Sequence, residues 1–297
     1  MLRFADSTYG QSSGGGQNLV VITACMHKGQ SDEYGSIEFI NKDFITLWDP
    51  VRTKFSFISA HMDELKELYE EFGDETSRQH MAAFLNQRVS GEFELEHVWI
   101  ENQYFCNDLV HIEDVTCFVD CGAYDGDSFR SFCKNYEQNT GKKYGGKAYL
   151  LEPAKDGFKK LSDAYSTAED IKILQCGAWS EKATLRFAEK EQESTANKIV
   201  EGGKIEVPVD KIDNIISGQD KVGFLKMDIE GSELNALKGA EEVIKRDKPI
   251  LAICVYHKKE DLVTIPQYIK AICPTYKLYL RSHERWCREL VLYALPN

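Results

Sequence analysis

At 297 residues and 42% hydrophobic, the chain is long enough for one large α/β domain or two smaller ones, and too apolar for disorder to be its default state. Its 36 Lys and Arg stand against 48 Asp and Glu, a net charge of -12; residues 1–116 hold 20 acids and 8 bases, so the remainder carries 28 of each sign. Basic clusters are only pairs such as Lys142-Lys143 and Lys258-Lys259, which argues against a nucleic-acid partner and against docking on anionic membrane. No apolar run approaches the ~18 residues of a membrane span, and the first residues lack a basic region followed by a long apolar one. A soluble, cytoplasmic protein is expected. Nine cysteines, an odd number, include no CxxC pair, and several sit in apolar runs, as Cys254 does in ILAICVY; reduced, buried thiols are the expectation.

In chain order, Ser12-Ser13-Gly14-Gly15-Gly16 reads as a flexible segment before a strand at NLVVITAC, with a second short strand at SIEFI. Met62, Leu65, Leu68 and Tyr69 recur at helical spacing, and Thr76 to Val89 repeats the pattern through Met81, Phe84 and Leu85. GEFELEHVW alternates loosely, and QYFCNDLV leads onward. From residue 117 the rhythm changes. Strand-length apolar runs occur at CFVDCGA, KAYLLEP, KILQCGAW, GFLKMDI, PILAICVY, YKLYLRS and ELVLYAL, with amphipathic stretches at 127–139, 156–168, 232–246 and 260–272 between most of them. Buried runs alternating with helices predict a parallel sheet covered on both faces. The last two runs have no helix between them and predict a hairpin. The expected fold is therefore α/β, a seven-stranded, mostly parallel, Rossmann-like sheet with an antiparallel last strand, the plan of class I methyltransferases. Residues 117–297 form that domain, and residues 1–116 form an acidic N-terminal α+β extension suited to a lid, an acceptor region or a dimer arm.

Four segments fall on successive strand ends, at the edge where open α/β sheets bind ligands. In FVDCGAYDGDSF, Gly122 and Gly126 allow positive φ and close backbone approach, and Asp120 can accept hydrogen bonds from a cationic or hydroxyl group. The spacing is DxGxxxG rather than the GxGxxG of dinucleotide folds, which suits a cofactor with an amino-acid moiety; a helix-opening turn with no ligand is the structural alternative. Glu152, ending YLLEP, can take both hydroxyls of a ribose, or can be a solvated strand-end acid. LKMDIEGSELNALKGA brings Asp228, Glu230 and Glu233 to a strand end and helix start. Glu233 has a structural explanation, because acids are favoured in a helix's first turn, and Ser232 or Asp228 can cap that helix. His257 ends the next strand, and an imidazole with a pKa near ~6.5 is suited to taking a proton near neutral pH.

Residues 117–296 resemble an FkbM-family S-adenosylmethionine-dependent methyltransferase. FVDCGAYDGDSF is similar to the family's cofactor motif, YLLEP to its ribose-binding strand end, LKMDIEGSELNALKGA to its signature segment, and PILAICVYHKKEDLVTIP with RELVLYALP to its C-terminal half. The upstream LNQRVSGEFE and NQYF stretches resemble the segment that precedes this domain in members encoded with sugar and surface-polysaccharide genes. The resemblance implies that Asp120, Gly122, Asp125 and Gly126 hold the methionine end of S-adenosyl-L-methionine, Glu152 its ribose and Cys176, Gly177 and Ala178 its adenine side. Asp228, Glu230 and His257 then face the acceptor. It implies an O-methyltransferase acting on a small-molecule or sugar-linked acceptor in surface-polysaccharide or natural-product biosynthesis. His257 is the expected base; Asp228 is the alternative base or, with Glu230, half of a divalent-metal site. An NAD-dependent sugar-modifying oxidoreductase and a silent S-adenosylmethionine-binding protein are the rivals, and a homodimer is left open.

Overall fold

The structure, a computed structural model, describes residues 55–90, 98–187, 205–216, 218–284 and 289–297. The expected strands at NLVVITAC and SIEFI, the Ser/Gly segment and nearly all of GEFELEHVW lie outside the described residues. Three helices come first, α1 (Phe55–Ala60), α2 (Met62–Glu71) and α3 (Glu75–Ser90). Then follow β1 (Cys117–Cys121), α4 (Asp127–Thr140), β2 (Lys147–Leu151), α5 (Lys155–Tyr165), β3 (Ile171–Leu174), β4 (Gly177–Ala178), β5 (Ala183–Phe187) and β6 (Ile205–Asp210). The chain closes with α6 (Ile212–Ile215), β7 (Phe224–Met227), α7 (Glu233–Lys238), α8 (Glu241–Asp247), β8 (Ile250–Cys254), α9 (Asp261–Ile272), β9 (Lys277–Ser282) and β10 (Leu290–Leu295).

The seven-stranded sheet has the order β3-β2-β1-β7-β8-β10-β9. Its first five strands are parallel, and β10 runs antiparallel between β8 and β9, as the missing helix predicts. This is the class I methyltransferase fold. Side chains leave alternate faces of each strand, and the two faces build two cores. Cys117, Val119, Cys121, Leu225 and Met227 pack on one side with Leu65, Leu68 and Phe84 of the N-terminal helices and with α7 to α9. Phe118 and Phe224 pack on the other with Phe105, Phe129 and Phe132. By the same alternation Asp120 and Lys226, which are register partners, share this second face.

The N-terminal helices are fastened to the sheet edge by β9. Gly73 donates its N–H to Leu278 O, and Leu280 N–H donates to Ser77 Oγ. Arg281, 1% exposed, reaches Asp74 at 2.6 Å and Asp108 at 2.9 Å.

Three local expectations are corrected. KILQCGAW is not one strand: β3 stops at Leu174, and Gly177–Ala178 pairs with β6 in a second, three-stranded sheet of order β4-β6-β5. That small sheet had no counterpart in the sequence reading. The helix expected over 232–246 is broken at Gly239 into α7 and α8, because Gly239 presses against the Trp179 carbonyl where a Cβ would collide. Ser232 occupies the N-cap of α7 but makes no side-chain cap hydrogen bond; Glu233 Oε1 instead accepts the Ile229 N–H at 2.9 Å.

Candidate functional site

The strand ends of β1, β2, β7 and β8 meet along one edge. After β1 the chain turns through Gly122 (φ 84), Tyr124 (φ 45) and Gly126 (φ 87) into α4. Gly122 is required twice over: its φ is left-handed, and a Cβ would run into the Asp228 carbonyl oxygen. Its N–H and that of Ala123 both donate to Leu151 O at 3.0 Å, which ties the turn to β2. Asp125 pairs with Arg130 at 2.8 Å. Glu152 accepts the N–H of Tyr124 through Oε2 at 2.8 Å and that of Ala154 through Oε1 at 2.7 Å. Burial pushes its pKa up, against the pull of those two N–H groups. A carboxylate has about four acceptor positions, so both oxygens retain capacity for hydroxyls. Cys176 adjoins β4, and Gly177–Ala178 is that short strand, held by β6.

Asp120 is fully buried, and the cation it meets is Lys226, whose Nζ lies 2.9 Å from Oδ1. Burial pushes the Asp120 pKa up while Lys226 opposes it. Its Oδ2 has no hydrogen-bond partner among the described residues. An orphaned carboxylate oxygen beside a glycine turn, with a second carboxylate at the neighbouring strand end, is a donor-poor, acceptor-rich set that fits a nucleoside carrying a cationic amino-acid end.

On β7 and β8 the remaining candidates converge. Asp228 N–H donates to Cys121 O, which holds that residue beside the first turn. Glu230 (φ 57) and Gly231 (φ 89) then bend the backbone so that Asp228, Glu230 and Glu233 all approach one ring. His257 is that ring: Nδ1–H donates to Glu233 Oε1 at 2.9 Å, and Nε2 lies 3.3 Å from Asp228 Oδ1 and 3.8 Å from Glu230 Oε2. Burial pulls the imidazole toward its neutral form, but the Glu233 hydrogen bond and the charges of Glu233, Asp228 and Glu230 outweigh it and hold its pKa at about 9. Burial also works to raise Asp228, and Lys226, His257 and the Tyr104 hydrogen bond together hold it below the usual carboxylate value.

Five residues at this edge are not singled out by the sequence. Tyr104, 5% exposed, donates its hydroxyl to Asp228 Oδ2 at 2.7 Å, and Gln103 donates to Glu289 Oε2 at 2.8 Å. Asn102 (φ 62) and Tyr104 (φ 69) are both left-handed without being glycine, local strain of the kind that collects at functional sites. In sequence, the NQYF stretch that carries Asn102, Gln103 and Tyr104 has a resemblance and no readable role. Lys226 had a readable signal, a lone charge within an apolar strand.

The family "Methyltransferase FkbM domain" matches residues 120–281. The crystal structure of methyltransferase FkbM from Methylobacillus flagellatus KT is 30% identical, with a TM-score of 0.68 over 80% of this chain, and this chain spans 60% of that one. A methyltransferase from Geobacter sulfurreducens (11% identity, TM-score 0.38, 83% of this chain and 100% of that one) and an rRNA methylase from Streptococcus thermophilus (13%, 0.39, 62% and 89%) are more remote. Comparison with curated proteins finds no match. With the family match covering more than half of the sequence, and falling on the strand ends just described, the chain belongs to the FkbM methyltransferase family.

Proposed function

We propose that the protein is an O-methyltransferase that uses S-adenosyl-L-methionine and methylates a sugar or glycan hydroxyl in surface-polysaccharide or natural-product biosynthesis. The observation that carries this reading is the His257–Asp228 pair directly beside the Gly122 turn, where Asp228 O sits against Gly122. Asp120, Gly122, Asp125 and Gly126 would hold the methionine end, Glu152 the ribose and Cys176 to Ala178 the adenine side. When bound, the cofactor supplies a methyl group on a sulfonium, open to in-line attack by an oxygen. The protein's part is to place that oxygen and to receive its proton. At neutral pH His257 is charged, so the ionised Asp228 receives the proton and His257 steadies it; above about pH 9 the neutral ring becomes the base.

The acids at this edge also bear on the acceptor. Asp228, Glu230 and Glu289 offer hydrogen-bond acceptors to a polyol and repel a phosphate-type oxygen. No helix among the described residues is long and apolar enough to cross a membrane. The part of residues 1–116 that packs on the 117–297 domain is proposed to border the acceptor side, where Gln103 and Tyr104 reach Glu289 and Asp228.

A second reading gives the same carboxylates a cation. Asp228, Glu233 and His257 each offer a ligand atom within 4.8 Å of the others, and Glu230 stands by. A divalent ion held there would lower the acceptor's pKa.

One assay separates these readings. Nucleotide-sugars and polysaccharide fragments are screened by mass shift, with and without Mg²⁺ and chelator. Transfer that survives chelation removes the metal reading. His257→Ala is expected to lower turnover at least tenfold, on the ~10²-fold scale of acid–base contributions, and full turnover in that variant refutes its role. Tight binding of NADH without S-adenosylhomocysteine selects the oxidoreductase reading instead. Cofactor binding with no transfer to any acceptor selects the silent binder.

A further inference from the structure

The charged pair of Lys226 and Asp120 sits between two parallel strands that are covered on both faces, at 2% and 0% side-chain exposure. Stability alone gives such a pair little reason to exist, because apolar residues of similar volume serve a core as well or better. What Lys226 touches is more informative. Its Nζ lies 2.9 Å from Asp120 Oδ1, donates at 2.9 Å to the carbonyl of Gly122, and stands 5.2 Å from the centre of the Tyr104 ring. Gly122 is the first left-handed residue of the turn after β1, and Asp228, two residues beyond Lys226 and just past the end of the same strand, meets that turn through its carbonyl. One side chain in the strand thus fixes the turn from below, while the strand's end supplies the carboxylate that faces the acceptor.

We propose that Lys226 is a positioning residue that locks the Gly122 turn, and Asp120 on the strand that leads into it, in the geometry that receives the amino-acid end of the cofactor. The inference rests on the S-adenosylmethionine reading above and deepens it. Because β7 carries Lys226 and leads directly into Asp228, the lock also sets the distance between the methionine end and the acceptor side. The nucleoside end is held elsewhere, by Glu152 and the 176–178 segment, so Lys226 acts on one half of the cofactor only.

Two ligands that differ in that half provide the test. S-adenosylhomocysteine has the amino-acid end; 5′-methylthioadenosine keeps the nucleoside and lacks it. Calorimetry on the full chain compares the unaltered protein with Lys226→Met, and with Lys226→Met combined with Asp120→Asn, which leaves no stranded charge and keeps the test open if the single variant fails to fold. Both variants are expected to lose about tenfold or more in affinity for S-adenosylhomocysteine, the scale of one charge-assisted hydrogen bond, with 5′-methylthioadenosine affinity kept within about twofold on that scale. Parallel loss of both ligands, no loss of either, or recovery of S-adenosylhomocysteine affinity in the double variant overturns the inference, since each would make the pair a packing element. If the unaltered protein binds neither nucleoside, the cofactor reading fails and this inference falls with it. Binding of S-adenosylhomocysteine with an indifferent Lys226 leaves the cofactor reading standing and removes only the lock.

Discussion

Acid should loosen the attachment of the N-terminal helices to β9, and two histidines set where. His80 on α3 accepts the Ser282 N–H through Nδ1 at 2.6 Å, a role open only to an unprotonated nitrogen. His283 donates Nδ1–H to Ile100 O at 2.8 Å and places Nε2 2.8 Å from the Tyr293 hydroxyl. Burial, reinforced by the Arg281 charge, pulls each ring down to about 4. An unfolded histidine titrates near ~6.5, so the folded chain binds fewer protons than the unfolded one. The stabilising contribution is therefore present above pH ~6.5 and is lost as the pH falls toward 4. At ~1.4 kcal/mol per pH unit, each ring costs about 3 kcal/mol once both states are protonated, and about 2 kcal/mol of that is gone by pH 5. Asp261 works in the opposite direction, because burial holds its carboxyl up at about 7 and it takes up a proton on folding over the same range. The quantity to read is thus a difference between proteins. In His80→Asn the amide oxygen can take over from Nδ1 without titrating, so urea unfolding at pH 7 and pH 5 should show about 2 kcal/mol less acid destabilisation than in the unaltered chain. Equal pH dependence in the two proteins refutes the reasoning.

Two further substitutions test the site itself. Gly122→Ala combines a left-handed φ with a collision at the Asp228 carbonyl and should abolish S-adenosylhomocysteine binding in calorimetry, whereas Gly141→Ala, at φ 70 with nothing within 4 Å, should cost only the ~1–2 kcal/mol of the backbone conformation in thermal unfolding and leave binding intact. Tyr104→Phe removes the 2.7 Å hydrogen bond to Asp228 Oδ2. A hydrogen bond to a charged group is worth ~1.5–3 kcal/mol, so kcat should fall about 10- to 100-fold while S-adenosylhomocysteine affinity stays within about twofold; an unchanged kcat would show that Asp228 needs no such support.

The sheet was legible because its signals are local. Seven apolar runs bounded by turns and separated by amphipathic stretches leave little choice of topology, and the absence of a helix between YKLYLRS and ELVLYAL was enough to place the antiparallel pair. The second sheet escaped notice because ATLRF and IEVPVD are short, carry charges, and in the latter case contain Pro208, so neither resembles a buried parallel strand. The break at Gly239 was hidden for another reason: the close approach of Trp179 is a contact between distant parts of the chain. Among the site candidates, the residue types at the strand ends could be listed from sequence, but their partners could not. That Glu233 faces His257, or that Asp120 meets Lys226, follows from strand register and from the left-handed bend at Glu230 and Gly231.

The charge division at residue 116 is not a division in the packing. The excess acid lies before it, yet the core runs across it: Leu65, Leu68 and Phe84 share one core with β1 and β7, and Asp74 and Asp108 are the partners of a buried Arg281. The site crosses it as well, since Gln103 and Tyr104 come from the acidic side and their partners Glu289 and Asp228 from the neutral one. A domain with equal numbers of each sign can still present an acid-rich edge, with carboxylates around the cationic ring of His257. Here Asp228, Glu230, Glu233 and Glu289 gather at the strand ends, while the cation beneath them, Lys226, is buried and engaged. The acidity of this edge is therefore a matter of local placement and not of the domain's net charge.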